Sequence, residues 1–153
     1  MPLSHTKLCV PLCIRAFVAK KNNMKIRIKG NSIRYRLTKT DIAHFKTVGF
    51  IEESTEFFNG PSFHYRLESK AGIQNMEASF SGNTICIFVQ KRIAEEWTST
   101  EVVGFDTTMN IGDGKELFLL IEKDFVCLDH TLEDQRDNYT NPNKNLLDDS
   151  PVC

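Results

Sequence analysis

From Met24 to Leu37 the chain reads MKIRIKGNSIRYRL, and this stretch limits the fold more than any other. Met24, Ile26 and Ile28 alternate with Lys25, Arg27 and Lys29. After Gly30-Asn31-Ser32, Ile33, Tyr35 and Leu37 alternate with Arg34 and Arg36. Period-2 alternation puts one set of side chains on each side of an extended backbone. A Gly-Asn-Ser stretch between two such runs is turn chemistry. The spacing predicts a β-hairpin with one apolar face and one face of five cations.

The elements that follow repeat. Thr38-Lys39-Thr40-Asp41 has the form of a capping box, and Ile42, Ala43 and Phe45 continue at helical spacing to Gly49. Phe50–Phe58 reads as a strand, Asn59-Gly60-Pro61 as a turn, and Phe63, Tyr65 and Leu67 as the apolar side of another strand. Gly30-Asn31-Ser32-Ile33 then matches Gly82-Asn83-Thr84-Ile85, and Leu37 matches Val89. Ile42-Ala43 matches Ile93-Ala94 after one gap, Phe45 matches Trp97, and Val48-Gly49-Phe50 matches Val103-Gly104-Phe105. Two units spaced about 52 residues apart imply internal pseudo-symmetry. The expected fold is α+β, mainly β: a small pseudo-symmetric barrel from two fused β-β-α-β units, whose edge strands close on each other. A last strand, Glu116–Phe125, carries the apolar run Leu117-Phe118-Leu119-Leu120-Ile121.

A chain of 153 residues suits one core. The reading divides it into residues 1–23, a disordered arm or a mis-assigned start; 24–128, a single β-rich domain; and 129–153, an acidic and largely disordered tail. Charge is uneven: residues 1–50 hold eleven Lys/Arg and one acid, while residues 106–153 hold four bases and eleven acids. Such asymmetry fits a polyanion-binding face, or attraction between the two ends of the chain. The five cysteines, Cys9, Cys13, Cys86, Cys127 and Cys153, are odd in number and irregular in spacing. They do not make a disulfide framework, which points to the reducing cytoplasm. Leu8–Ala19 is apolar for about twelve residues, short of the roughly 20 that span a bilayer. Pro11 and Arg15 interrupt it, so no membrane span or secretory signal is expected.

At Gly30-Asn31-Ser32, Arg36-Leu37-Thr38 and the capped helix behind them, the sequence resembles the AbrB/MazE swapped-hairpin family. That resemblance implies two interleaved chains, here fused into one, and DNA binding around the turn and second strand. Residue by residue, the implied contacts are Arg27, Asn31, Ser32 and Arg36. Thr38 and Gln90 stand where that family has proline, and Thr84, Cys86 and Phe88 replace Ser32, Arg34 and Arg36 in the second unit. MKIRIKGNSIRYRL with Glu122-Lys123-Asp124-Phe125 and Cys127-Leu128 also resembles a bacterial family of uncharacterised proteins, from Met24 to about Asn143.

The candidate nucleic-acid or polyanion site is therefore Lys25, Arg27, Lys29, Asn31, Ser32, Arg34 and Arg36. Same-face residues on a strand lie about 6.6–7 Å apart, close to the spacing of successive phosphates. No aromatic shares the face of the five cations, Tyr35 falling on the apolar one, so base stacking has no support there. The competing expectation is an ion-pair lattice with Glu52, Glu56 and Glu68 on neighbouring strands. Cys127 and His130, among acids of the tail, have the spacing of half a metal site but no second soft pair, and a metal-binding protein or an enzyme using them and the nearby acids is the alternative function. A third is a protein-interaction module whose acidic tail docks on a protein partner or folds back on residues 25–36. No cofactor motif is present: Gly112-Asp113-Gly114-Lys115 lacks the spacing and following helix of a phosphate loop.

Overall fold

The computed structural model describes residues 22–126 and 134–142. Its elements run β1 (Lys25–Ile28), β2 (Ser32–Leu37), α1 (Lys39–Val48), β3 (Phe50–Thr55), β4 (Phe63–Lys70), β5 (Met76–Ser81), β6 (Thr84–Gln90), α2 (Lys91–Ser99), β7 (Gly104–Gly112) and β8 (Lys115–Lys123). The repeating unit is thus β-β-α-β-β, one strand longer than the β-β-α-β expected.

The turns follow their residues. Lys29 and Ser32 exchange backbone hydrogen bonds around Gly30-Asn31, and Gly30 supplies the positive φ of +53°. Gly82 and Asn83 both have positive φ, as a type I′ hairpin loop requires. The capping box at α1 is complete: Thr38 accepts from the Asp41 amide, and the Asp41 carboxylate accepts from the Thr38 amide. Gly49, left-handed at φ +86°, ends the helix by donating to the Phe45 carbonyl. At α2 the Gln90 side chain caps the Ile93 amide instead.

Two four-stranded sheets form, in the orders β1-β2-β8-β7 and β3-β4-β6-β5. Each mixes one hairpin from each unit, joined by a parallel central pair, β2 with β8 and β4 with β6. The units have therefore exchanged hairpins. Exchanging unit one for unit two turns either strand order into the other, so the sheets are related by a pseudo-twofold. The helix N-caps Thr38 and Gln90 correspond, as do Phe45 and Trp97, so Ile42 is the counterpart of Ala94 with no gap. Beyond the helices the register shifts. Phe50 lies opposite Glu68 and Gly104 opposite Glu122, so Gly104 corresponds to Phe50 and not to Gly49. Gly104 has its own reason to be glycine: an added Cβ would sit 2.8 Å from Glu122 Cβ and against the Ile121 carbonyl.

No closed barrel is found among the described residues. Where β5 approaches β7, the contacts run through side chains: Asn75 Nδ2 donates to Thr107 Oγ1 at 3.0 Å, and the Ala78 amide meets Met109 Sδ at 3.3 Å. Where β1 approaches β3, Asn22 Nδ2 donates to the Glu52 carbonyl at 3.1 Å. Closure needs a continuous backbone ladder with consistent tilt and stagger, and these bridges do not make one.

The core lies between the sheets. Tyr35, Leu37, Ile51, Leu67, Ile87, Val89, Leu119 and Ile121 are fully enclosed. Both helices pack over one end, where Phe45 and Trp97 meet edge to face at 6.5 Å. Residues 134–142, assigned above to the tail, lie at that same end: the Asp137 carbonyl accepts from the Lys39 amide, and Tyr139 bridges to Phe125. The expectations for residues 1–21, 127–133 and 143–153 fall outside the described residues. No helix among the described residues is long and apolar enough to cross a membrane.

Candidate functional site

The basic hairpin is real, and its charged side faces outward from the first sheet. In the antiparallel β1–β2 register Lys25 lies opposite Arg36 and Arg27 opposite Arg34. Like charges directly across a ladder repel. Two acids from the second unit offset most of this. Glu122 on β8 binds both Arg34 and Arg36, the latter at 2.7 Å from Nε. Asp124, which is buried, meets Lys25 Nζ at 2.9 Å. These acids reach the cations because β8 lies parallel beside β2, pairing Arg36 directly with Glu122.

Two cations are left. Arg27 and Lys29 are exposed, and neither has an acidic partner among the described residues. Beside them lies a hollow of about 260 Å³ lined by Arg27, Lys29, Ser32, Arg34, Phe118 and Leu120. Arg34 Nε is buried there without an acceptor. Asn31 and Ser32 hold the turn. Asn31 Nδ2 donates to the Glu116 carbonyl at 2.9 Å, tying the β1–β2 turn to β8, and Ser32 Oγ donates to the Lys29 carbonyl.

The lattice expected from Glu52, Glu56 and Glu68 belongs to the other sheet. Glu52 and Glu68 flank Arg66, at 3.5 and 2.8 Å, and do not touch the hairpin. Glu56 is exposed in the β3–β4 connection. Sequence reasoning missed Glu122 and Asp124. Their one signal was the Glu-Lys-Asp break that follows the apolar run of β8.

Burial perturbs several groups among the described residues. The Tyr35 hydroxyl donates to the Ile85 carbonyl at 3.1 Å inside the core, and desolvation raises its pKa far above the ordinary phenol value. Cys86 occupies the position of Arg34 in the second sheet; desolvation, reinforced by Glu68, pushes its thiol up to about 11. A thiol held protonated is a poor nucleophile. Among the described residues no His, Cys, Asp and Glu group has the arrangement to hold a metal ion. Cys127 and His130 lie outside the described residues.

The fold and this face together define an α+β protein of two interleaved β-β-α-β-β units with a partly compensated cationic hairpin. A family of unknown function, DUF7009, matches residues 24–143, and the chain belongs to it. No curated protein and no solved structure matches the chain.

Proposed function

We propose that the protein is a small cytoplasmic binding module, and that it takes a nucleic-acid backbone or another polyanion on the outer face of β1 and β2. The observation that carries this reading is the Arg27–Arg34 pair. Two guanidinium groups face each other across the ladder, only one has a carboxylate, and Lys29 extends the uncompensated charge to the turn. That arrangement costs stability in the free protein, and an incoming anion relieves it. Arg27 and Lys29 are the direct contacts in this reading. Arg34, with a spare Nε, is a shared one. Lys25 and Arg36 contribute field while holding Asp124 and Glu122.

The resemblance to the AbrB/MazE family adds support, because hairpins are exchanged between the two units here and Arg27 is exposed at an implied contact position. Asn31, Ser32 and Arg36 are the other implied contacts, and each is engaged within the protein. The reading gives them positioning roles. The experiment is a titration with heparin and with duplex DNA across a salt series. Wild type is expected to bind with an affinity that falls steeply as salt rises. An Arg27→Ala/Lys29→Ala variant is expected to bind more weakly, with a salt slope shallower by about 1 to 2. Negligible binding by wild type, or identical curves for the two proteins, would falsify the proposal.

Self-masking by the acidic tail is the second reading, and residues 134–142 give it an observation. The Asp137 carboxylate accepts from the Thr40 amide at 3.2 Å, so this acidic stretch docks on the start of α1. It docks at the helix end, however, and Arg27 and Lys29 lie toward the turn end.

A further inference from the structure

The two ends of the space between the sheets are built differently. At the helix end Phe45 and Trp97 fill it. At the opposite end all four hairpin turns meet, because β2 and β8 both start there, as do β4 and β6. Each turn there carries a large apolar side chain in solvent. Ile28 is 55% exposed, Phe57 59%, Phe58 96%, Phe80 69% and Ile111 45%. Between them opens a groove of about 240 Å³, lined chiefly by Ile33, Phe63, Ala78, Phe80, Ile85 and Leu117. A hollow of roughly 150 Å³ with such a lining holds a benzene ring, so this groove has room for a phenyl group.

We propose that this turn end is a self-association surface, on which Phe58 of each of two copies fills the groove of the other. Two observations point to a second copy. Knob and hollow lie on the same end of one molecule, which is what a closed twofold contact requires, since it uses the same patch twice. The surrounding charges are of both signs, with Lys29 and Lys115 among Glu56, Asp113 and Glu116. A mixed rim sets up no single-sign field against an identical partner and offers opposite charges to pair across the contact. The same three acids oppose an anionic lipid surface, the other partner that an apolar crown suits. This inference does not depend on polyanion binding at Arg27 and Lys29.

The test is sedimentation equilibrium of the full chain over a dilution series, with Phe58→Asp and Phe80→Asp variants. Both side chains stand mostly in solvent, so the variants should keep wild-type circular dichroism and melting. Wild type should show a dimer mass that falls to the monomer on dilution. Each substitution should weaken the dimer about tenfold or more, the scale of a lost aromatic anchor. A wild-type monomer at every concentration overturns the proposal, as does a dimer whose dissociation both variants leave unchanged. If wild type stays monomeric but pellets with phosphatidylserine vesicles, and Phe58→Asp does not, the crown contacts lipid and the proposal is again wrong.

Discussion

The outer faces of the two sheets occupy equivalent places in the fold and carry different chemistry. On the second sheet each strand cation is engaged. Arg66 lies between Glu52 and Glu68 and 4.0 Å above the Phe50 ring, while Lys70 pairs with Glu77 and sits 4.6 Å from the Phe88 centroid. On the first sheet Glu122 and Asp124 serve three cations, and Arg27 and Lys29 have no acid among the described residues. The inner faces do not diverge in this way. Ile33 and Ile85, Tyr35 and Ile87, and Leu37 and Val89 are counterparts, and all are apolar or enclosed. Volume and burial restrict inner positions tightly, whereas outer positions need only solvation. A duplicated unit is therefore free to change its charge while it keeps its core.

The strongest way to break the comparison is to remove the paired plugs. Trp97→Ala and Phe45→Ala should each cost about 3–5 kcal/mol in urea unfolding, because both empty a fully packed site. A large loss for one and a negligible loss for the other would mean that the two halves share topology but not energetics.

The caps come next. Asp41 is buried and accepts from the Asn23 amide as well as from Thr38, so Asp41→Ala should cost about 1–3 kcal/mol by leaving buried donors unmet. Gln90→Ala, at the equivalent cap, removes one bond and should cost about 1 kcal/mol or less. Equal losses in chemical denaturation would contradict the asymmetry.

Glu122→Gln sharpens the contrast between the outer faces. It should release Arg34 and Arg36, raise affinity for heparin and steepen the dependence of log K on log salt by about 1 to 2. Glu68→Gln on the other sheet should leave heparin binding unchanged. Matched responses would show that the two faces are electrically alike.

The smallest effect near neutrality concerns Cys86. The fold holds its proton more tightly than the unfolded chain does. The resulting stabilisation is complete below the ordinary thiol value of 9.0 and is lost as pH rises toward about 11. Melting temperature should therefore fall faster with alkaline pH in wild type than in Cys86→Ala. Parallel curves would mean that Cys86 is not held protonated by burial. Tyr65, also raised by burial, has no contribution from Cys86 and cancels in the difference.

Local chemistry was legible in the sequence wherever it acts over a few residues. Gly30-Asn31, the Thr38–Asp41 box and the alternation of β1, β2 and β4 each state their own geometry. The partners of the basic hairpin were not legible, because Glu122 meets Arg36 only through a parallel pairing that joins distant parts of the chain. Matching Val48-Gly49-Phe50 to Val103-Gly104-Phe105 misled by one position: Gly49 serves a left-handed helix end, and Gly104 serves close strand approach. Those are different physical demands met by the same residue type. That no closed barrel is found among the described residues has a similar reason. Whether edges zip by backbone or merely touch through Asn75, Thr107 and Met109 is not written in periodicity.

The hairpin exchange has one more consequence, for the connection between Lys70 and Met76. Neither half owns a complete sheet, since each central strand pair joins opposite units. A protease cut in residues 71–75 would leave two fragments that finish each other. Their cohesion would then obey mass action between the two pieces, and the melting point would climb with fragment concentration.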